Sequence, residues 1–217
     1  MTVLAHAATA AVTAIVIGHS VQGRPLRALE LGDRTSSQRV LVVGCIHGNE
    51  CAGMPVVWQL ARSRPRFDLW LVPNLNPDGY AARTRQNAHG VDLNRNFPSQ
   101  WLRIGRRGSP QWSGPRPLSE PEARAARALI LRIRPDVTIW FHQPQGIVRA
   151  WGHSVGAARR FARLAGMRFR ALHWPNGTAP NWQNHRFATA ASFVVELPPG
   201  PLEPVLRQHL VAAILRE

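Results

Sequence analysis

The chain alternates short apolar runs with helical stretches, and this alternation limits the folds that it can adopt. Apolar runs of strand length occupy residues 14–17, 26–31, 40–45, 67–72, 137–141 and 193–197. Stretches of helical character occupy residues 53–64, 120–133, 155–165 and 201–215. Strands that alternate with helices are typical of an α/β domain with a mixed, mostly parallel central sheet flanked by helices. Because 217 residues suffice for one well-packed core, we predict a single domain over residues 1–217.

The charge balance is strongly basic. The 27 basic residues are all arginine and face 12 acidic residues, so the formal net charge is +15. A complete absence of lysine indicates a bias in codon composition more than a nucleic-acid groove, and the aromatic residues do not interleave with arginine in an RNA-binding motif. We therefore predict no specific nucleic-acid partner, although the charge should attract anionic partners such as wall polymers or acidic peptides.

The chain shows no sign of a membrane span or of an export signal. No apolar run approaches the roughly 20 residues that a transmembrane helix needs. Residues 1–20 are mildly apolar, but no Lys or Arg precedes Arg24 and a clean cleavage signature is missing. A cytoplasmic location is favoured and secretion stays open, while nothing in the sequence indicates an oligomeric state.

Two local features carry structural predictions of their own. Cys45 and Cys51 are too few for a disulfide framework, and we expect small buried thiols. The helix predicted at residues 120–133 follows Ser-Glu-Pro-Glu, which offers Ser119 as N-cap and Glu122 as its capping-box partner.

Four reactive side chains follow or end predicted strands. His47 and Glu50 come after the strand that ends near residue 45, His142 follows the strand that ends at residue 141, and Glu196 lies near the end of another. In open α/β sheets, ligands bind beyond the carboxyl ends of the strands. Residues 74–118, a long stretch of little periodicity, are typical of a functional loop. The pattern predicts one shared crevice.

Three of these side chains could hold a metal ion. Catalytic zinc commonly takes three protein ligands and leaves one position open. His47 and Glu50 could come from one turn, and His142 stands 142 − 50 = 92 residues beyond Glu50. A lone His-x-x-Glu is weak evidence, so the prediction depends on the motifs that accompany it.

Several further motifs occur in a characteristic order. They are NLNPDGY at 74–80, RQN at 85–87, GVDLNRNFP at 90–98, FH at 141–142 and VVELP at 194–198. Together with the His-x-x-Glu turn they closely resemble the zinc metallocarboxypeptidase family of carboxypeptidase A type, from about residue 18 to the end. Within that family the chain is most similar to the small bacterial murein peptide amidases, which have no pro-domain.

The resemblance implies a metal site with one zinc ion per chain. His47, Glu50 and His142 would bind the ion. Asp92 matches the carboxylate that hydrogen-bonds the first histidine ligand and fixes its tautomer.

The resemblance also implies a catalytic and binding set. Glu196 matches the carboxylate that accepts a proton from the attacking water. Arg85 matches the arginine that polarises the scissile carbonyl. Asn94 and Arg95 match the pair that grips the terminal carboxylate of a peptide substrate, for which an arginine fork is well suited.

The sequence departs from the digestive members at the substrate lid. Its single tyrosine, Tyr80, lies inside the NPDGY motif, so the mobile tyrosine of the pancreatic enzymes has no counterpart. Trp174, Trp182 or His185 could line that rim. The family also places a cis bond just after the last histidine ligand, which here predicts a cis peptide between Gln143 and Pro144.

The substrate prediction rests on charge. Residues 137–195 contain no Asp or Glu, whereas a pocket for Lys or Arg normally needs a buried carboxylate. Four arginines in this region favour a released residue with a carboxylate on its side chain: Arg149, Arg168, Arg170 and Arg186. Diaminopimelate fits, and so does the resemblance to murein peptide amidases. We therefore predict cleavage of the γ-D-glutamyl–diaminopimelate bond. Arg186 is the residue that we expect to bind the distal carboxylate of diaminopimelate.

Two alternatives stay open. A zinc-dependent deacylase of N-acyl amino acids would share the metal motif, although the NPDG segment and residues 85–87 favour a peptidase. A basic binding module on an inactive hydrolase scaffold would not need the intact ligand set and Glu196.

Overall fold

The structure is a computed structural model that describes residues 12–216, and within these residues eight strands form one sheet. The strands are Thr13–His19 (β1), Pro25–Gly32 (β2), Arg39–Val43 (β3), Asp68–Val72 (β4), Val137–His142 (β5), Ile147–Ala150 (β6), Arg168–Ala171 (β7) and Ala191–Glu196 (β8). The α-helices are Met54–Leu60 (α1), Pro77–Ala82 (α2), Pro121–Ile133 (α3), Val155–Leu164 (α4), Ala179–Arg186 (α5) and Pro204–Ile214 (α6). Short 3-10 helices occur at Leu93–Arg95 and Gly152–Ser154.

The sheet is mixed and mostly parallel. Its strand order is β1-β2-β4-β3-β5-β8-β6-β7. The contacts β4–β3, β3–β5, β5–β8 and β6–β7 are parallel, and β1–β2, β2–β4 and β6–β8 are antiparallel. This confirms the predicted α/β fold class.

The core lies around the four central strands. β4 and β5 are buried along their whole length, and β3 and β8 are buried apart from their first residues. Strands that are covered on both faces have continuous apolar sequences, and for this reason the sequence predicts these four strands. Helix α4 packs on β6, β7 and β8, helix α3 packs on β1, and α6 contacts both α1 and α4. No helix within residues 12–216 is long and apolar enough to cross a bilayer.

Four elements were not predicted: α2, β6, β7 and α5. β6 and β7 have four residues each, and β7 carries two exposed arginines on an edge strand, so neither shows an apolar run. Helix α5 reads APNWQNHR, and six of its eight residues are buried although three of those six carry polar amide side chains. A helix without an apolar stripe gives no periodic signal.

The start of α3 differs from the prediction. The N-cap residue is Glu120, followed by Pro121, and no side chain caps the helix. Proline is well placed at the first helical position, because the amide that it lacks would have no partner there. The Ser119 hydroxyl donates to Glu120, while Glu122 accepts from the backbone amide of Val21. The predicted capping box is therefore wrong, because Glu122 is used in a tertiary contact.

The expectation of two separate thiols is also wrong. Cys45 and Cys51 form a disulfide bond, with their Cα atoms 4.7 Å apart. The turn at residues 47–50 reverses the chain after β3 and brings the two Cα atoms within the range that disulfides require. The bond encloses the turn that carries His47 and Glu50.

A glycine allows this turn to pack directly against α2. A Cβ atom on Gly48 would clash with the carbonyl carbon of Gly79 and the amide nitrogen of Tyr80. Asn76 caps α2 by accepting from the Gly79 amide at 2.9 Å. The HGNE and NPDG motifs therefore contact each other through their backbones.

We predict that Gly48→Ala lowers the free energy of unfolding by about 1–3 kcal/mol or more, because the methyl group must displace backbone. The matched control is Gly156→Ala in α4, where nothing lies within 4 Å of an added Cβ. That change should leave stability the same or raise it by up to about 1 kcal/mol. Urea denaturation of both variants measures the difference, and equal stability of Gly48→Ala and the parent would contradict the packing.

Candidate metal centre and substrate pocket

The carboxyl ends of the central strands bring the candidate residues together. His142 ends β5 and Glu196 ends β8, and the two are direct partners in the parallel register. His47 and Glu50 lie in the turn after β3, whose neighbour on one side is β5. The shared crevice predicted from the sequence is therefore present.

His47, Glu50 and His142 form a cluster that could hold one metal ion. Nδ1 of His47 lies 3.0 Å from Oε2 of Glu50. Nδ1 of His142 lies 3.2 Å from the same oxygen and 3.2 Å from Nδ1 of His47. Ligands about 2.0–2.1 Å from a tetrahedral zinc ion stand about 3.3 Å from one another. The three atoms thus have the spacing and the chemistry of a zinc ligand set.

The protonation of His142 and Glu50 suits a metal site. Burial lowers the pKa of His142 to about 4, so its ring is neutral near pH 7. Burial works against ionisation of Glu50, but hydrogen bonds from His142 and His47 hold the pKa of this carboxyl far below its usual range. A neutral imidazole and an ionised carboxylate are the forms that bind metal ions.

Asp92 orients His47. The Asp92 side chain is fully buried, and its Oδ1 lies 2.9 Å from Nε2 of His47 and accepts from the Asn94 amide. Burial opposes ionisation of Asp92, but His47 and Arg85 hold the pKa of this carboxyl well below its usual value. For His47, burial disfavours the charged ring, yet Asp92 and Glu50 raise its pKa above the ordinary value. A carboxylate on Nε2 leaves Nδ1 directed at the cluster.

Arg85 joins the two carboxylates of the site. Its Nε donates to Oδ2 of Asp92 at 3.0 Å, and its Nη1 donates to Oε1 of Glu50. Arg85 therefore forms an ion pair with both Asp92 and Glu50 at the wall of the pocket, where its guanidinium is partly exposed.

Asn94 and Arg95 follow Asp92 in a 3-10 helix and face the same pocket. Nδ2 of Asn94 lies 3.2 Å from Nε2 of His142, and its Oδ1 accepts from the Ala179 amide. Nη1 of Arg95 donates to the Asn94 carbonyl at 2.8 Å. Within residues 12–216 no carboxylate oxygen lies within 4.0 Å of the Arg95 guanidinium.

Glu196 is buried beside the cluster, with 7 % of its surface exposed. Its Oε2 atom is enclosed and has no hydrogen-bond partner among the described residues. Burial raises the pKa of Glu196, and the neighbouring charge of Glu50 raises it further, against the opposing effect of Arg149. Such a carboxyl exchanges protons more readily near neutral pH than an exposed one does.

All of these side chains except Asp92 line one cavity of about 320 Å³. Its wall includes residues that the sequence had not assigned to a role, namely Gln143, Thr178, Pro180 and Val194, together with Trp174 and Arg149. Gln143 donates to the carbonyls of Pro198 and Gly200, and its own side-chain oxygen accepts from the Ala52 amide. The peptide bond between Gln143 and Pro144 is cis, as predicted.

The three residues predicted to line the rim occupy different places, and Arg186 does not line the cavity. Trp174 lines the cavity, Trp182 is buried against Phe97, and His185 lines a neighbouring cavity. The placement predicted for Arg186 is wrong, because this residue is exposed, with its guanidinium over the Phe187 ring. Pro180 at the start of α5 does line the cavity, and Arg186 is 186 − 180 = 6 residues farther along the helix, roughly 9 Å away.

We predict that His142→Ala greatly weakens zinc binding, because two remaining ligands cannot complete the site. The control is His209→Ala on the exposed face of α6, which should keep about one zinc ion per chain. Metal analysis after dialysis against a weak chelator measures both. Tight, stoichiometric zinc in His142→Ala would show that the ligand set is different.

Known proteins are similar to this chain in sequence and in fold. The murein peptide amidase A of Vibrio campbellii is 30 % identical over 224 aligned positions, which cover 94 % of this chain and 86 % of that protein. The structure of a murein-tripeptide amidase from Escherichia coli O157 covers all of this chain and 98 % of its own, with a TM-score of 0.78 and 27 % identity. Carboxypeptidase A of Helicoverpa armigera has the same fold, with a TM-score of 0.77 at 20 % identity over 95 % of this chain and 66 % of its own.

A family model supports the same assignment. The model of the zinc carboxypeptidases matches residues 1–192, which include the three residues of the cluster and end shortly before Glu196. The fold, the cluster that could bind one metal ion and the similar proteins all indicate the same family. The chain is therefore a hydrolytic enzyme that belongs to the zinc carboxypeptidase family.

Proposed function

We propose that this enzyme hydrolyses the γ-D-glutamyl–diaminopimelate bond of cell-wall peptides and releases a residue with a free carboxylate. The observation that carries the proposal is the composition of one cavity. It combines the His47, Glu50 and His142 cluster with the buried Glu196 and with the guanidinium groups of three arginines, Arg85, Arg95 and Arg149. Such a pocket can hold a peptide terminus and hydrolyse the bond next to it.

His47, Glu50 and His142 would hold one zinc ion. When bound, the ion polarises the scissile carbonyl and makes a water molecule more acidic. Asp92 keeps the His47 ring in the orientation that directs Nδ1 at the cluster.

Glu196 would move the proton. Its carboxylate accepts a proton from the attacking water and later donates it to the nitrogen of the leaving amine. The free Oε2 atom supports this role, because no protein donor competes for it among the described residues. Burial keeps bulk water from taking the proton, and the raised pKa makes the transfer in both directions easier.

Arg95 and Asn94 would hold the terminal carboxylate of the substrate. The Arg95 guanidinium lines the cavity and has no acidic partner in residues 12–216, so its charge is available to a ligand. Two parallel bonds from a guanidinium fix both the position and the orientation of a carboxylate. Arg85, which contacts Glu50 of the cluster, would donate to the oxygen of the scissile carbonyl.

The relatives and the charge of the pocket support a cell-wall substrate. The two similar amidases are named for murein peptides. No Asp or Glu occurs in residues 137–195, which supply part of the cavity wall, so a cationic side chain would find no partner there. Diaminopimelate carries a carboxylate on its side chain and therefore fits this wall.

We predict that Glu196→Gln keeps zinc and the fold but loses roughly a hundred- to ten-thousand-fold in turnover. The amide has nearly the same shape but cannot accept the proton from water. Glu203→Gln, an exposed change before α6, is the matched control and should retain turnover. Near-normal turnover in Glu196→Gln would assign the proton transfer to another group.

We expect γ-D-glutamyl peptides that end in diaminopimelate to be cleaved faster than matched peptides that end in Phe or Lys. Amino-acid analysis of the released residue gives the three rates, and N-acetyl and N-succinyl amino acids form a fourth arm. Faster release of Phe would indicate an apolar pocket, and faster release of Lys would contradict the charge argument. Preferential hydrolysis of the N-acyl amino acids would make the enzyme a deacylase.

A further inference from the structure

We infer that Arg149 is the residue that recognises a carboxylate on the side chain of the released residue. The inference rests on the proposed function, and it replaces Arg186 with a residue that the structure places in the pocket. Arg149 lines the cavity, whereas Arg168, Arg170 and Arg186 are exposed and do not.

The strand register places Arg149 beside the reaction site. Arg149 lies on β6 opposite Val194 of β8, and Ile147 lies opposite Glu196. Paired residues of antiparallel strands point to the same face, and so do residues two apart on one strand. The Arg149 and Glu196 side chains therefore leave the sheet on the same face and enter the same cavity.

The Arg149 guanidinium has unused hydrogen-bonding capacity. Its Nη2 donates to the backbone carbonyl of His173 at 3.1 Å, and its carbon atom lies 5.9 Å from the centre of the Trp174 ring. Its Nε is enclosed and unpartnered, and within residues 12–216 no carboxylate oxygen is within 4.0 Å of the group. A partly buried cation without a counter-ion costs solvation energy, which an anionic ligand would recover.

The three arginines of the cavity differ in whether a carboxylate of the protein already pairs with them. Arg85 is already neutralised by Glu50 and Asp92. Arg95 and Arg149 are the two whose charges have no carboxylate partner among the described residues. Two open cationic groups in one pocket match a ligand with two carboxylates. If Arg95 holds the terminal carboxylate, Arg149 holds the one on the side chain.

A second role for Arg149 would act through Glu196. Its charge opposes the effects that raise the pKa of Glu196, so its removal could change the rate with every substrate. Recognition of a side chain has a different signature, because it changes the ratio between substrates with and without the carboxylate. Diaminopimelate and lysine form a matched pair for this purpose, since diaminopimelate is lysine with one added carboxylate on the terminal carbon.

The experiment compares kcat/KM for γ-D-glutamyl peptides ending in diaminopimelate and in Lys, for the parent enzyme, Arg149→Met and Arg149→Lys. Arg149→Met should reduce the diaminopimelate-to-Lys ratio roughly ten- to a hundred-fold, the usual value of a charge-assisted bond. Arg149→Lys keeps the charge and should restore part of the ratio. Arg170→Met removes the neighbouring exposed charge on β7 and should leave the ratio unchanged.

An unchanged ratio in Arg149→Met would overturn the inference. So would an equal loss with both substrates together with a shifted pH–rate profile, since that result assigns Arg149 to Glu196. If the parent releases neither residue, the proposed function fails, and the inference is then tested by calorimetry with free diaminopimelate and free lysine. Tighter binding of diaminopimelate that Arg149→Met abolishes would support it, and equal binding would refute it.

Discussion

The site depends on a buried ionic network that joins Asp92, His47, Glu50 and Arg85. The Asp92 side chain has no exposed surface, so an unpaired charge there would destabilise the fold. His47, Arg85 and the Asn94 amide satisfy it instead. These contacts tie the turn after β3 to the long loop at residues 74–118, which has little regular structure of its own. The loop is thereby held against the cluster of His47, Glu50 and His142.

A second constraint comes from the strand order. β3, β5 and β8 are parallel neighbours, so their carboxyl ends meet at one edge and bring His47, His142 and Glu196 together. The next strand, β6, runs antiparallel to β8 and brings Arg149 to the same face as Glu196. The wall of the cavity near Glu196 thus includes a strand that runs in the opposite direction. Because β6 runs antiparallel to β8, Arg149 reaches the cavity from a strand and not from a long loop.

Close backbone contact completes the frame. The turn that carries His47 and Glu50 is enclosed by the disulfide between Cys45 and Cys51 and packs on α2 through Gly48 and Gly79. Glycine at both positions reflects available space, because any side chain on Gly48 would meet the backbone of α2. The HGNE and NPDG motifs are therefore structural partners as well as signatures of the family, and a change in one acts on the geometry of the other.

The sequence by itself determined the fold class, the four central strands and the residues of the metal cluster. Buried parallel strands are continuous apolar runs, so local pattern revealed the strands. The three residues of the cluster were recognised from the motifs that accompany them, and they lie at or beyond the carboxyl ends of β3 and β5. The tertiary structure decided what depends on contacts between distant segments. These are the disulfide, the contact of Glu122 with Val21, the burial of helix α5, and the position of Arg149 at the cavity and of Arg186 outside it. Each arginine has the same chemistry in the sequence, and whether its charge faces solvent, a carboxylate or an open cavity depends on the strand register and on the packing of helices around it.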